Sequence, residues 1–102
     1  MADSPSKCIG RKQLRQMFND GNYWSRALSG EFQQLLVKER HLDPLKTAEP
    51  TCTHSQMLTY KDMAGNEIAR VHQYLRPNGK IGATGRPDPK RLIQGGIIYF
   101  TK

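Results

Sequence analysis

Near residue 53 the spacing of apolar residues changes from a period close to 3.6 to a period of 2. That switch restricts the chain to a fold in which helices come first and strands follow. Leu14, Met17 and Phe18 fall at i, i+3 and i+4, which predicts a helix over Arg11 to Phe18, and Asp20-Gly21-Asn22 supplies its stop. A second helix is predicted from Asn22 to about Arg40 and His41 on the spacing of Leu28, Phe32, Leu35 and Leu36, although Gly30 weakens it by about 1 kcal/mol relative to Ala. Trp24, Tyr23, Leu28, Phe32 and Leu36 are the expected core of this half. The stretch from Leu42 to Thr53, with Pro44 and Pro50, reads as a connection across the surface.

In the second half, Gln56 to Lys61 and Glu67 to Arg76 both alternate, and Asp62 to Asn66 between them has turn chemistry, so the pair predicts a β-hairpin. Ile97 to Thr101, β-branched and aromatic and preceded by Gly95-Gly96, predicts a last strand. Asp88-Pro89 has the form of an N-cap followed by a first-turn proline and predicts a helical turn through Ile93. The expected fold is therefore α+β: two N-terminal helices on a small antiparallel sheet of three to four strands, with a short helical turn before the last strand. Residues 1–10 are expected to be a flexible tail and 11–102 a single domain.

Size and composition exclude whole classes of function. A chain of 102 residues has no room for a two-lobed enzyme or a long α/β repeat. The longest apolar runs, Leu35 to Val37 and Ile97 to Phe100, fall far short of the roughly 20 residues that span a bilayer. No membrane partner is expected, and the polar N-terminus without a secretory apolar stretch points to the cytoplasm. Cys8 and Cys52 are expected as reduced thiols. With His41, His54 and His72 they lack the paired spacing of a zinc site, so neither a metal nor another cofactor is called for.

Charge is what remains to be explained. The formal net charge is +7, and between Arg70 and Arg91 six basic residues (Arg70, Arg76, Lys80, Arg86, Lys90 and Arg91) stand against Asp88. Such crowding concentrates positive potential where phosphates are neutralised. Alternation along Glu67 to Arg76 sends Ala69, Val71 and Leu75 to one face and Ile68, Arg70, His72, Tyr74 and Arg76 to the other. A row of guanidinium groups, an imidazole and a phenol suits an RNA chain, because Arg forks grip phosphate and Tyr stacks on unpaired bases. Gly79, Gly82 and Gly85 recur every third residue, so backbone amides there have room to approach an anion; no Walker A or dinucleotide fingerprint is present. Arg11, Lys12 and Arg15 add a basic first turn to the first helix.

The candidate anion-binding set is thus Arg70, His72, Tyr74, Arg76, Lys80, Arg86, Lys90 and Arg91. Three functions use it. Binding of nucleic acid, with RNA favoured, ranks first; a small phage or bacterial inhibitor of an acidic protein or ribonucleoprotein ranks second. A metal-independent ribonuclease, with His72 moving the 2′-OH proton, ranks third. In element order and size this arrangement resembles the small ribonuclease toxins of bacterial toxin and antitoxin pairs, which implies two helices followed by an antiparallel sheet with Arg, Lys, Tyr or His on its open face. The resemblance is of architecture alone, and no active-site residue is carried across.

Overall fold

The segment with the strongest alternation lies inside a sheet. A computed structural model describes residues 5–41 and 49–101. In chain order the elements are β1 (Ser6–Cys8), α1 (Arg11–Asp20), α2 (Tyr23–Leu28), β2 (Gln33–His41), β3 (His54–Lys61), β4 (Glu67–Leu75), β5 (Asp88–Gln94) and β6 (Ile97–Phe100). All six strands form one sheet in the order β1-β6-β5-β4-β3-β2, antiparallel throughout except that β1 runs parallel to β6. Among the described residues no helix is long and apolar enough to cross a membrane.

The expected three to four antiparallel strands are therefore six mixed ones, and each discrepancy has a local cause. The predicted second helix stops at Leu28, and Gln33–His41 is strand β2. Gly30 stands between them at φ +90°, a left-handed backbone that ends a helix and suits glycine. Leu35 and Leu36 fit a helical period and an edge strand equally well, and here pairing with β3 decides. Asp88 to Ile93 likewise belongs to β5 rather than to a helical turn. Pro89 is accommodated there because Lys90 is an extra residue in the ladder, opposite the Arg70–Val71 step of β4. The N-terminal segment expected to be flexible supplies β1, whose Ser6, Lys7 and Cys8 pair with Ile98, Tyr99 and Phe100. Of the predicted connection over 42–53, residues 42–48 lie outside the described ones, and the wholly antiparallel sheet implied by the toxin resemblance is broken by the parallel β1–β6 pair.

The predicted β3–β4 hairpin is present. The Asp62 carboxylate accepts the Ala64 and Asn66 amides across its turn at 2.9 Å each, which holds that carboxyl below its ordinary range. One face of the sheet is covered by the helices. Leu14 and Phe18 of α1, Tyr23 and Ala27 of α2, and Phe32 bury against Leu58 and Tyr60 of β3, Ala69 and Val71 of β4, and Leu92 of β5. Phe18, Tyr23, Phe32 and Tyr60 stack or tilt at centroid distances of 5.8 to 6.2 Å. Burial pushes the Tyr60 phenol up to about 12. The expected core is corrected in part, since Trp24 is only half-buried, Leu28 is exposed as the last residue of α2, and Leu36 is exposed on the edge strand β2 rather than on a helix. Ile68 is an extra residue in the β3–β4 ladder and turns toward the core rather than the opposite face. Toward β2 the covered face becomes polar, where Gln73 donates to Gln56 at 2.9 Å and Gln56 to Glu39 at 2.5 Å.

Leu92 is fully buried in the core where β5 meets α1 and β4. Leu92→Ala is expected to cost about 2–5 kcal/mol, a large part of the roughly 5–15 kcal/mol that stabilises such a domain. Urea denaturation checks this: the midpoint should fall with its slope unchanged.

Candidate nucleic-acid interface

Among the described residues, no helix lies on the opposite face of the sheet. Register fixes which side chains share it: Leu35, Thr59, Arg70, Arg91, Phe100 and Cys8 lie in one row across all strands, and Lys38, Met57, His72 and Asp88 in the next. Neighbouring strands stand about 4.8 Å apart, so each row is a continuous strip of side chains. Six cations, Lys38, Arg40, Lys61, Arg70, Lys90 and Arg91, share this face with two described carboxylates, Glu67 and Asp88. Three rings, His72, Tyr74 and Phe100, lie among them, all half-buried.

The two carboxylates orient the cations. Glu67 accepts from Arg70 Nη2 at 3.3 Å and from Arg91 Nη2 at 2.9 Å, with Arg91 Nε a further 2.7 Å ion-pair contact. One acid thus holds two guanidinium groups side by side. Around a hollow lined by Ser6, Arg70, Lys90, Arg91, Ile98 and Phe100, the cations stand next to an apolar floor. Asp88 accepts from Lys90 Nζ at 2.9 Å and from Arg15 Nε at 3.0 Å. Burial opposes its charge, but these two bonds outweigh that cost and keep the carboxyl below its ordinary range.

His72 lies between Ser55 and Tyr74. Ser55 Oγ is 2.6 Å from Nε2, in a hydrogen bond whose direction depends on the tautomer, and the Tyr74 ring meets the imidazole edge-on at 4.8 Å. Burial first, and then the charge of Lys90, push the imidazole below its ordinary value against the pull of Asp88, and Arg40 adds a smaller push the same way. One ring nitrogen is engaged by Ser55, and the ring is packed edge-on against Tyr74.

Between Gly82 and Asp88 the chain leaves the sheet. Gly82 N–H donates to the Tyr74 carbonyl at 2.7 Å and pairing resumes at His72 and Asp88, so residues 83–87 arch outward opposite Gln73. The gap opens a cleft of about 270 Å³ lined by His72 and Tyr74, by Gly82 to Thr84, by Arg86, Asp88 and Lys90, and by Arg11 and Arg15 of α1. The glycine-rich loop expected to approach an external anion already holds an internal one. Glu49 accepts the Ala83 amide at 2.7 Å and Arg76 Nε at 2.7 Å, and a Cβ on Gly82 would lie only 2.5 Å from its carboxylate. Those bonds, Arg76 first, hold the Glu49 carboxyl below its ordinary range.

The eight sequence-predicted residues therefore divide. Arg70, His72, Tyr74, Lys90 and Arg91 share the open face, and Arg86 joins them at the cleft. Arg76 turns to Glu49 instead, and Lys80 sits exposed in the turn that follows β4. Phe100, Arg40, Lys38 and Lys61 also lie on this face, although the sequence pattern does not place them there. The clue to Phe100 was its alternation with Tyr99, whereas those in β2 were hidden by the helical assignment. Among the described residues no group of three or more His, Cys, Asp or Glu is placed to hold a metal ion. Compared with family models, curated proteins and solved structures, the chain finds no match in any of the three.

Two titrations follow. The His72 imidazole should titrate below about 6.5 when followed by NMR, and because its folded value is depressed, it should cost stability as pH falls from about 6.5 through that lower value. Glu49→Gln should destabilise the protein at neutral pH; since the wild-type carboxyl is depressed, the difference is full above the ordinary Glu range and should disappear as pH falls through its folded value. Thermal melts of both proteins across acid pH measure it.

Proposed function

We propose that this protein binds single-stranded nucleic acid, RNA in preference, along the open face of its sheet, without chemistry. The observation that carries the reading is the helix-free face on which six cations meet two carboxylates around His72, Tyr74 and Phe100. Cations supply phosphate neutralisation and rings supply stacking platforms, the two components of single-strand binding. The paired guanidinium groups on Glu67 support it further, because an acid that fixes two Arg side chains reduces the entropy lost when they meet phosphate. RNA is preferred because its single-stranded regions offer unstacked bases to aromatic side chains. The reading places the protein in the cytoplasm, with Cys8 and Cys52 as free, exposed thiols.

The test is an anisotropy titration of labelled single-stranded RNA at several salt concentrations, with EDTA present and the RNA run afterwards on a denaturing gel. Binding should weaken steeply with salt and leave the RNA intact. Arg91→Ala should weaken binding at every sequence and lower the salt slope by about 1. Phe100→Ala should cost about 1–3 kcal/mol of affinity. Shortened RNA would instead indicate a ribonuclease, and no binding at low salt would point to a protein target.

A further inference from the structure

The cleft at the sheet gap differs in kind from the open face. Its rim brings Arg11 and Arg15 of α1, Arg86 of the arch and Lys90 of β5 around a single described carboxylate, Asp88. Asp88 is already shared by Arg15 and Lys90. Arg86 makes only a long 3.5 Å contact to Asn19 Oδ1 among the described residues, and Arg11 makes no described hydrogen bond or ion pair through its side chain. Two guanidinium groups thus face a concave site in surplus of the acid present. A guanidinium fork matches a phosphate oxygen pair.

Arg86 also lines a second hollow, of about 170 Å³, formed with residues of α1 and α2. There the half-buried indole of Trp24 lies with Asn19 and Asn22, whose amides both donate and accept hydrogen bonds. A flat aromatic surface with amide groups beside it is the chemistry that takes a nucleobase, by stacking and by edge contacts. One arginine therefore stands between a cationic cleft and an aromatic hollow.

We propose that this pair of hollows is a site for a 5′-nucleotide, with the phosphate against Arg11 and Arg86 and the base against Trp24. The ligand is a nucleoside 5′-monophosphate, either free or as the 5′-terminal nucleotide of an RNA strand. The cleft borders the open face and shares His72, Tyr74 and Lys90 with it, whereas the Trp24 hollow lies outside that face, so the site does not depend on strand binding along the sheet.

Trp24 is the only tryptophan in the chain, so its fluorescence reports the site directly. Wild-type protein is titrated with adenosine 5′-monophosphate, adenosine and inorganic phosphate, exciting at the red edge of indole absorption where adenine does not absorb. The monophosphate should quench Trp24 saturably and bind at least about tenfold more tightly than adenosine, while phosphate alone should compete without quenching. Arg86→Ala should weaken the monophosphate about tenfold or more with an unchanged circular dichroism spectrum. Lys7→Ala, which removes a charge at β1, should leave it unaltered. Equal binding of monophosphate and adenosine, or no quenching at all, would overturn the proposal.

A second arm compares RNA oligonucleotides bearing a 5′-phosphate or a 5′-hydroxyl. Tighter binding of the phosphorylated strand assigns the site to RNA ends, and equal binding alongside quenching by the free monophosphate assigns it to the free nucleotide. If both strands bind equally and the monophosphate does not bind, the nucleotide site fails while the sheet-face reading stands. If the monophosphate binds and neither strand does, the reverse holds.

Discussion

A sheet of six strands has two faces, and this chain has helices for one. α1 and α2 contain ten and six residues, and both pack on the face that holds Tyr60, Val71 and Leu92. Among the described residues, no helix covers the side chains on the other side. That constraint explains why Arg70, Arg91 and Lys90 lie opposite the core and why their carboxylate neighbours are few. It also explains the half-burial of His72, Tyr74 and Phe100, which are screened by one another and by Arg and Lys stems rather than by a second layer.

β4 links the two sides. Ala69 and Val71 point into the core with no exposure, and Arg70 and His72 between and beyond them point out. A shift of register by one residue would exchange these sets, so the apolar burial that stabilises the domain also fixes where the cations stand. The extra residue Lys90 adds a second effect. It lets Lys90 and Arg91 approach the same face in succession while Pro89 and Leu92 stay inward, which concentrates charge next to the sheet gap.

The sequence announced some of this and concealed the rest for identifiable reasons. Alternation revealed β4 and its two chemistries because one face is wholly apolar and the other wholly polar over Ala69 to His72. The hairpin was legible from Asp62 to Asn66, whose carboxylate organises its own turn. β2 was not legible, because Leu35 and Leu36 satisfy two periods and only the left-handed Gly30 separates them from α2. β5 was masked by Pro89, which imitates a helix start until its neighbours on β4 and β6 are known. The fate of Arg76 was beyond local reading: its partner Glu49 lies 27 positions earlier, across the hairpin. The cleft was equally hidden, since Arg11 and Arg15 reach Arg86 only through the packing of α1 on β5.

The claim that the helix-free face is the binding surface is tested most directly by mapping it. Backbone amide spectra of isotopically labelled protein are recorded as a short single-stranded RNA is added at low salt. The account predicts shifts concentrated on β4, β5 and β6, strongest near Arg70, Arg91 and Phe100 and reversed by added salt. Shifts confined to the helices or to β2, or none at all, would contradict it.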